Sequence, residues 1–552
     1  MRYFIVMLFC LSTWMVFSQK IEYQLTQSKV FEDEKYKTTL LFAEVDANGD
    51  IYVVRNFLAS YASPKGYYIE RYSAELELLD RIIIPVKRSE VRGLFLKEGK
   101  VALIEFRYVQ KEKAYEFFLL ESSKEKFDFS EKKILSIDRS NMYKYDHYGI
   151  RKELEYNSNH YYEFGEVVTS QNKEFFSISV LMKTKKENAF KIHTFNKEGV
   201  LVYEYLLDKI KEKTTGEKYE KTPLVVYQKL IIDDDGVAYL LAKIYYDSTL
   251  NIENNGKPNY NYELFKISGN DFHEQNPLLV GDNFVYGMQL VASQDKLFTV
   301  GIYREALPKL YGNELLSLFS KIEGNDGVVR FEVDKKTFSE VKSYYSKFSE
   351  LSKNDFKPKD RDLGGQVLSF ISGRDKLDNA GVIGFLAHTV KLLPNDDIVV
   401  MLEQKPIIVS EDMWSSNILY GNILSLKINR DGALIFDRGI KKSSSAKSLN
   451  TVPNHSFSTI INETGNYIFF NAEAIPEKLE DGRLVFENNN DNYAHIITIT
   501  HEGQKNYQRA FETLDENISF EFRFAKQISE NKLLVEVEND KNPQLMVIKI
   551  AN

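Results

Sequence analysis

The sequence predicts an all-β protein in which about eight four-stranded antiparallel units share one axis and close into a ring. Three observations lead there. A strand, an acidic turn with glycine and a second strand run through residues 229–242, and versions of this element recur eight times along the 552 residues. Tyr and Phe are abundant, at 34 and 37 copies, while Pro is scarce at 12. That balance favours strands, because rings and β-branched side chains pack well on a pleated surface. The last unit is one strand short, and a spare strand stands before the first.

In chain order, Ile21, Tyr23 and Leu25 alternate with polar neighbours and read as that spare strand. The first unit has strands at 40–45 and 51–55 around Asp46-Ala47-Asn48-Gly49-Asp50. Asn48-Gly49 suits a tight hairpin because both residues tolerate positive φ. A second hairpin, 67–72 and 78–84, completes the unit. The first-hairpin turn returns at Lys97-Glu98-Gly99, Gln171-Asn172-Lys173, Asp233-Asp234-Asp235-Gly236, Ser293-Gln294-Asp295, Pro394-Asn395-Asp396-Asp397, Asn462-Glu463-Thr464-Gly465 and Ser529-Glu530-Asn531. Second hairpins are clear around Asn196-Lys197-Glu198-Gly199, Asn429-Arg430-Asp431-Gly432 and His501-Glu502-Gly503. The last unit has its first hairpin at 522–537, then only 545–550. The strand at 21–25 supplies the missing member and hides two open edges that would otherwise pair with other chains.

A fixed supersecondary unit repeated in this way marks a propeller or a solenoid. Four-stranded units with variable connections suit propeller blades. On these repeated Asp/Asn-x-x-Gly hairpins the chain resembles the broad class of secreted β-propellers over essentially its whole mature length. Eight blades are expected, with seven as the alternative, because the turns near Lys97 and Gln171 are weak. The Trp-Asp endings and Gly-His starts of one propeller repeat are missing, as is the Ser-x-Asp-x-Gly-x-Thr-Trp box of sialidase-like propellers.

Residues 1–18 read as a signal peptide: Arg2 gives a positive start, 3–17 an apolar run, and Val16-Phe17-Ser18 a small residue before the cut. The run is shorter than the ~20 residues that span a bilayer. The expected domain is then 19–552, exported to the periplasm or beyond. The single cysteine, Cys10, falls in the leader, so the mature chain is expected to lack disulfides and thiolate metal sites. A net charge of −8 with no long basic run argues against nucleic acid as a partner. No later apolar run suggests a membrane span, and the mature chain is read as a monomer.

Surplus sequence sits in two kinds of connection. Residues 247–259, 305–326, 405–421 and 474–491 join second strands to third strands; 140–163 and 347–386 join one unit to the next. In a propeller both kinds lie on one face and the tight turns on the other. Loops carried on a rigid scaffold are where binding and catalysis usually reside. Tyr145 and Tyr148 lie in a tyrosine-rich stretch of the 140–163 connection, and Trp414 and Tyr420 in the 405–421 insertion. These rings are candidate ligand contacts, weighed against simple packing onto the disc.

Compact catalytic motifs are missing: no zinc helix, nucleophile elbow, phosphate loop or dinucleotide fingerprint occurs. Asp46–Asp50 and Asp233-Asp234-Asp235 read as turns before they read as cation loops. His388 and His455 each stand seven residues before an Asn of a first-hairpin turn, Asn395 and Asn462. They are candidates for a divalent metal or for acid–base work, with Glu403 and Glu473 of the same two units. His160 lies near an equivalent position. Arg55, Arg107, Lys243, Arg304, Glu403 and Glu473 fall at the far ends of second strands, cations early and anions late. A charged strand end is usually just solvated; this order also suits a polar or zwitterionic ligand. His147, His193, His273, His495 and His501 carry no further signal.

The leading functional expectation is a non-enzymatic binding module holding a protein, peptide or glycan on the loop-rich face, without a cofactor. The alternatives are a polysaccharide hydrolase or lyase with His388 and His455 at the channel mouth, and a structural component of a cell-envelope assembly. Fold alone does not choose among them.

Overall fold

The computed structural model describes residues 21–551 except 32–37, 61–62, 86–88, 125, 143–163, 184–187, 208–223, 247–252, 255, 271–272, 306–325, 340, 350–384, 405–406, 411–415, 421, 448–456, 474–483, 486–492, 512–517 and 540–541. The expected leader, residues 1–18, lies outside these residues, and so do Tyr145, Tyr148, His160, Trp414 and His455.

The turns fold where local chemistry dictates. In the first, the Asp46 carboxylate accepts the backbone N–H groups of Asn48 and Asp50, and Gly49 takes φ +90°. Asp233 does the same for Asp235 and Val237, ahead of Gly236 at φ +79°. A side chain that mimics a backbone acceptor, followed by a residue free to adopt positive φ, closes a hairpin tightly.

Blade 1 has strands Thr38–Val45, Ile51–Ser60, Ser63–Tyr72 and Leu78–Pro85, paired in that order. Blades 2 to 7 repeat the meander, beginning at Ser89, Phe164, Leu224, Phe284, Phe385 and Ser458. First strands of neighbouring blades touch around the ring, and the Lys391 ammonium donates to the Ile461 carbonyl (2.6 Å) to join blade 6 to blade 7. In blade 8, Tyr23–Gln27 runs antiparallel to Asn542–Ile550, with Tyr23 opposite Ile550 and Leu25 opposite Ile548. The chain is an eight-bladed β-propeller closed by its N-terminal strand.

Middle strands are buried on both faces: every residue of Ala238–Tyr245 and of Gly465–Ala472 is buried. This explains why they read as nearly unbroken apolar runs. The core is a set of seams between blades. Ile104, Phe106 and Phe117 of blade 2 meet Phe176 and Ile178 of blade 3; Leu40, Ile51 and Val53 of blade 1 meet Leu534, Leu545 and Val547 of blade 8.

Two features depart from a simple meander. The first strand of blade 8 is broken into Ile518–Phe520 and Lys526–Ser529 by a single 3-10 turn, Phe522–Phe524. That turn drops Phe522 into the core, where it stacks on Phe520 at 5.1 Å and 8°. The 405–421 insertion, expected as loop, contains a hairpin, Ile407–Ser410 with Ser416–Tyr420. It pairs with Lys442–Lys447, which in turn pairs with Leu484–Val485 of the blade 7 insertion. Connections of blades 6 and 7 thus build a second four-stranded sheet beyond the blades, a long-range pairing with no local signature.

Candidate functional site

The second strands carry their charged ends to the loop-rich face, but several of those charges are turned inward. Arg55 is completely buried. Its guanidinium donates to both Glu70 oxygens, Nε to Oε2 at 2.8 Å and Nη2 to Oε1 at 2.9 Å, and to Thr38 Oγ1 at 3.1 Å. Glu536 of blade 8 lies 3.7 Å from Nη1, and the Phe31 ring 3.9 Å from Cζ. Arg81 gives Glu70 a second cation at 2.7 Å. Burial works against the Glu70 charge, yet Arg55, then Arg81, hold its carboxyl below the usual range. This cluster joins the first blade to the last.

Arg107 is only partly exposed and grips Glu105 at 2.6 Å and Glu131 at 2.8 Å. Lys243 is buried among rings, its ammonium 3.5 Å from the centre of Tyr260 and 4.9 Å from that of Tyr245. Arg304 is buried at the end of its strand, opposite Phe284. Glu403 accepts from Lys442, a fully buried lysine at the root of the added sheet. Glu473 is exposed, and its backbone carbonyl accepts from His495 Nε2 at 2.9 Å. The six strand ends therefore do not share one rim: Arg55 is spent on a seam and Glu403 on the root of the added sheet, and Lys243 and Arg304 are covered.

His388 occupies a special backbone position. First strands of blades 1 to 6 each carry a β-bulge, at Leu41, Arg92, Gly165, Gln228, Gly287-Met288 and His388. Bulges add local twist and re-aim the chain. The turn of blade 6 opens at Leu393, whose N–H bonds Asp397 O, whereas Asn462 itself opens that of blade 7 by bonding Gly465 O. The seven-residue spacings of His388 and His455 are thus counted from different turn positions. Tyr420 ends the second strand of the added hairpin, opposite Ser444.

Histidines that the sequence left without a role are the ones with the most perturbed settings. His495 is buried, donates through Nε2 to Glu473 O, accepts the Tyr507 hydroxyl at Nδ1 and stacks on Phe470. Burial pushes it down to about 4. His193 is buried beside Phe195, 3.3 Å from Glu204 Oε2 but not aligned to bond it, and burial, then Lys191, push it down to about 4. On the turn face, His501 Nδ1 accepts from Lys427 at 3.2 Å, and Lys427 pairs with Asp397 at 3.1 Å.

Glu263 is the other outlier. It is fully buried in the third strand of blade 4, and burial pushes its carboxyl up to about 7 while Gln275 works the other way. Among the described residues, no three His, Cys, Asp or Glu side chains gather as a metal site. A small apolar pocket between blades 5 and 6, lined by Val300, Ile302, Val400 and Leu402, belongs to the core.

No protein-family model matches the sequence, and no curated protein matches it. Solved structures do. The β-propeller domain of the Trilobed protease from Pyrococcus furiosus is 9% identical, covering 89% of this chain and 99% of that one, with a TM-score of 0.35. The polysaccharide lyase Uly1 is 9% identical over 96% of this chain and 100% of that one, at 0.36. Prolyl oligopeptidase B from Galerina marginata is 7% identical over 92% of this chain and 55% of that one, at 0.37. Likeness at this level says nothing of activity. Among the described residues no helix is long and apolar enough to cross a membrane.

Proposed function

We propose that this propeller is an exported binding module that holds a protein, peptide or glycan on its loop-rich face and performs no catalysis. The asymmetry of its connections carries the reading. First-to-second and third-to-fourth strand turns are short, whereas the opposite face bears the long insertions and the added four-stranded sheet. A rigid ring with elaboration on one side is how a scaffold presents a recognition surface. Arg55 and Glu403 are engaged in internal ion pairs, which argues against acid–base chemistry at those positions.

The mature chain is tested by pull-down against glycans and cell-envelope proteins, with and without chelator. Capture that survives chelation and weakens in Trp414→Ala, with an unchanged melting temperature, supports the reading. Equal losses of capture and stability assign Trp414 to packing. Turnover of a polysaccharide that is lost on mutating His388 replaces the proposal with the hydrolase or lyase alternative.

A further inference from the structure

We propose that Glu263 anchors a divalent-cation site of the calcium class in the seam between blades 3 and 4. The argument begins with one atom. Glu263 Oε2 accepts the Gln275 amide, but Oε1 is buried without a hydrogen-bond partner. No described Lys, Arg or His acts on this carboxyl. Neither protonation state resolves the position. A neutral acid could donate its proton from Oε2 to the Gln275 amide oxygen and would still leave Oε1 unmatched, and a carboxylate would need a donor or a cation. A buried polar atom left unmatched costs about 1–3 kcal/mol, more when charged.

The surroundings supply the oxygens a hard cation takes. Glu263 lies opposite Ala242, and Asn261 opposite Ile244, so both point from the same sheet face into the seam with blade 3. Asn261 is 2% exposed. Residues two apart on a strand stand about 7 Å from each other, a span that a carboxylate and an amide oxygen close around one ion at roughly 2.3–2.6 Å per bond. Tyr246, the next residue on that face beyond Ile244, is close enough to feel the Glu263 charge. Gln275 is exposed and lies over the carboxyl from the outer strand, so rotation of its amide opens a path to solvent. One carboxylate among neutral oxygens makes a weak site, in the range of about 10⁻⁴–10⁻³ M. The site is independent of the ligand surface proposed above.

The test is a calcium titration of the mature protein followed by thermal unfolding, with choline chloride and sodium chloride controls at matched ionic strength. Calcium should raise the melting temperature by about 1–2 °C at tenfold excess over a dissociation constant of ~1 mM, and the rise should continue logarithmically with concentration. Glu263→Gln should abolish the rise while unfolding, without calcium, no lower than the parent, because it removes an unpaired charge. Asn261→Asp adds a second carboxylate and should lower the calcium concentration at which the rise begins about tenfold. Terbium luminescence excited through tyrosine should appear in the parent, be competed by calcium and vanish in Glu263→Gln. No calcium effect, an equal effect from sodium, an equal rise in Glu263→Gln or an unmoved onset of the rise in Asn261→Asp would each overturn the proposal.

Discussion

Arg55 and Glu70 form a two-bonded ion pair in which both side chains are wholly buried, at 2.8 and 2.9 Å. The pair lies in the seam where the ring closes, with Glu536 of the last blade 3.7 Å from Arg55. Removing one partner of a buried pair strands the other, which costs about 3–5 kcal/mol. Arg55→Ala should therefore lower stability in urea unfolding by that amount. Arg107→Ala, where the guanidinium is partly exposed but its partner Glu105 is buried, should cost about 1–3 kcal/mol.

Ring closure rests on side chains as well as on the strand ladder. The Tyr23 hydroxyl accepts the Phe511 backbone N–H at 2.7 Å, and the two rings meet edge to face at 4.8 Å. Tyr23→Phe keeps the ring contact and loses the acceptor, so it should cost about 1–2 kcal/mol. Hydrogen exchange should report the loss in blade 8 first, since its outer strand is the one that frays.

Acid should loosen blades 3 and 7. His193 and His495 are both pushed down to about 4 by burial, with Lys191 adding to the effect at His193. An unfolded histidine takes its proton near pH 6.5. The folded state thus binds fewer protons, and this contribution is complete above pH 6.5 and lost as pH falls toward 4. Glu263, pushed up to about 7, has the opposite sign: its contribution declines as pH rises from 4.5 through 7. His193→Met removes one buried imidazole whose nitrogens have no aligned hydrogen-bond partner. Its melting temperature should match the parent at pH 7.5 and exceed it by a few degrees at pH 4.5.

Two glycines with nearly equal backbone angles should respond differently to a methyl group. Gly432 and Gly256 have φ of +83° and +80°. A Cβ on Gly432 would stand 2.2 Å from the Tyr344 ring, while one on Gly256 meets nothing within 4 Å. Gly256→Ala should cost only the left-handed penalty of about 1–2 kcal/mol. Gly432→Ala should cost about 1–3 kcal/mol more, from overpacking of the blade 5 and 6 seam. Paired thermal melts measure the difference directly.

Local chemistry wrote the blades into the sequence. Asp46, Asp233 and Asn196 accept the backbone N–H groups of their own turns, and Gly49, Gly236 and Gly199, each three residues later, take positive φ. Such signals need only a few neighbouring residues, so the strand units and the spare strand that completes the last were legible. The spare strand lies at Tyr23–Gln27, two residues later than its alternation suggested. The added sheet was not legible, because Tyr420 pairs with Ser444 and Lys442 with Leu484 across intervening strands.

The candidate site divides along the same line. Charge at strand ends was visible in Arg55, Lys243 and Glu403; that Arg55 reaches Glu536 and Glu403 reaches Lys442 was not. Nor did anything local distinguish Glu263 from any other strand glutamate. By itself the sequence determined the repeating hairpins, the ring and its closure, since turn geometry and side-chain alternation act over a few residues. Only the tertiary structure decided which charges face solvent and which are buried, because that depends on what the neighbouring blade places across the seam.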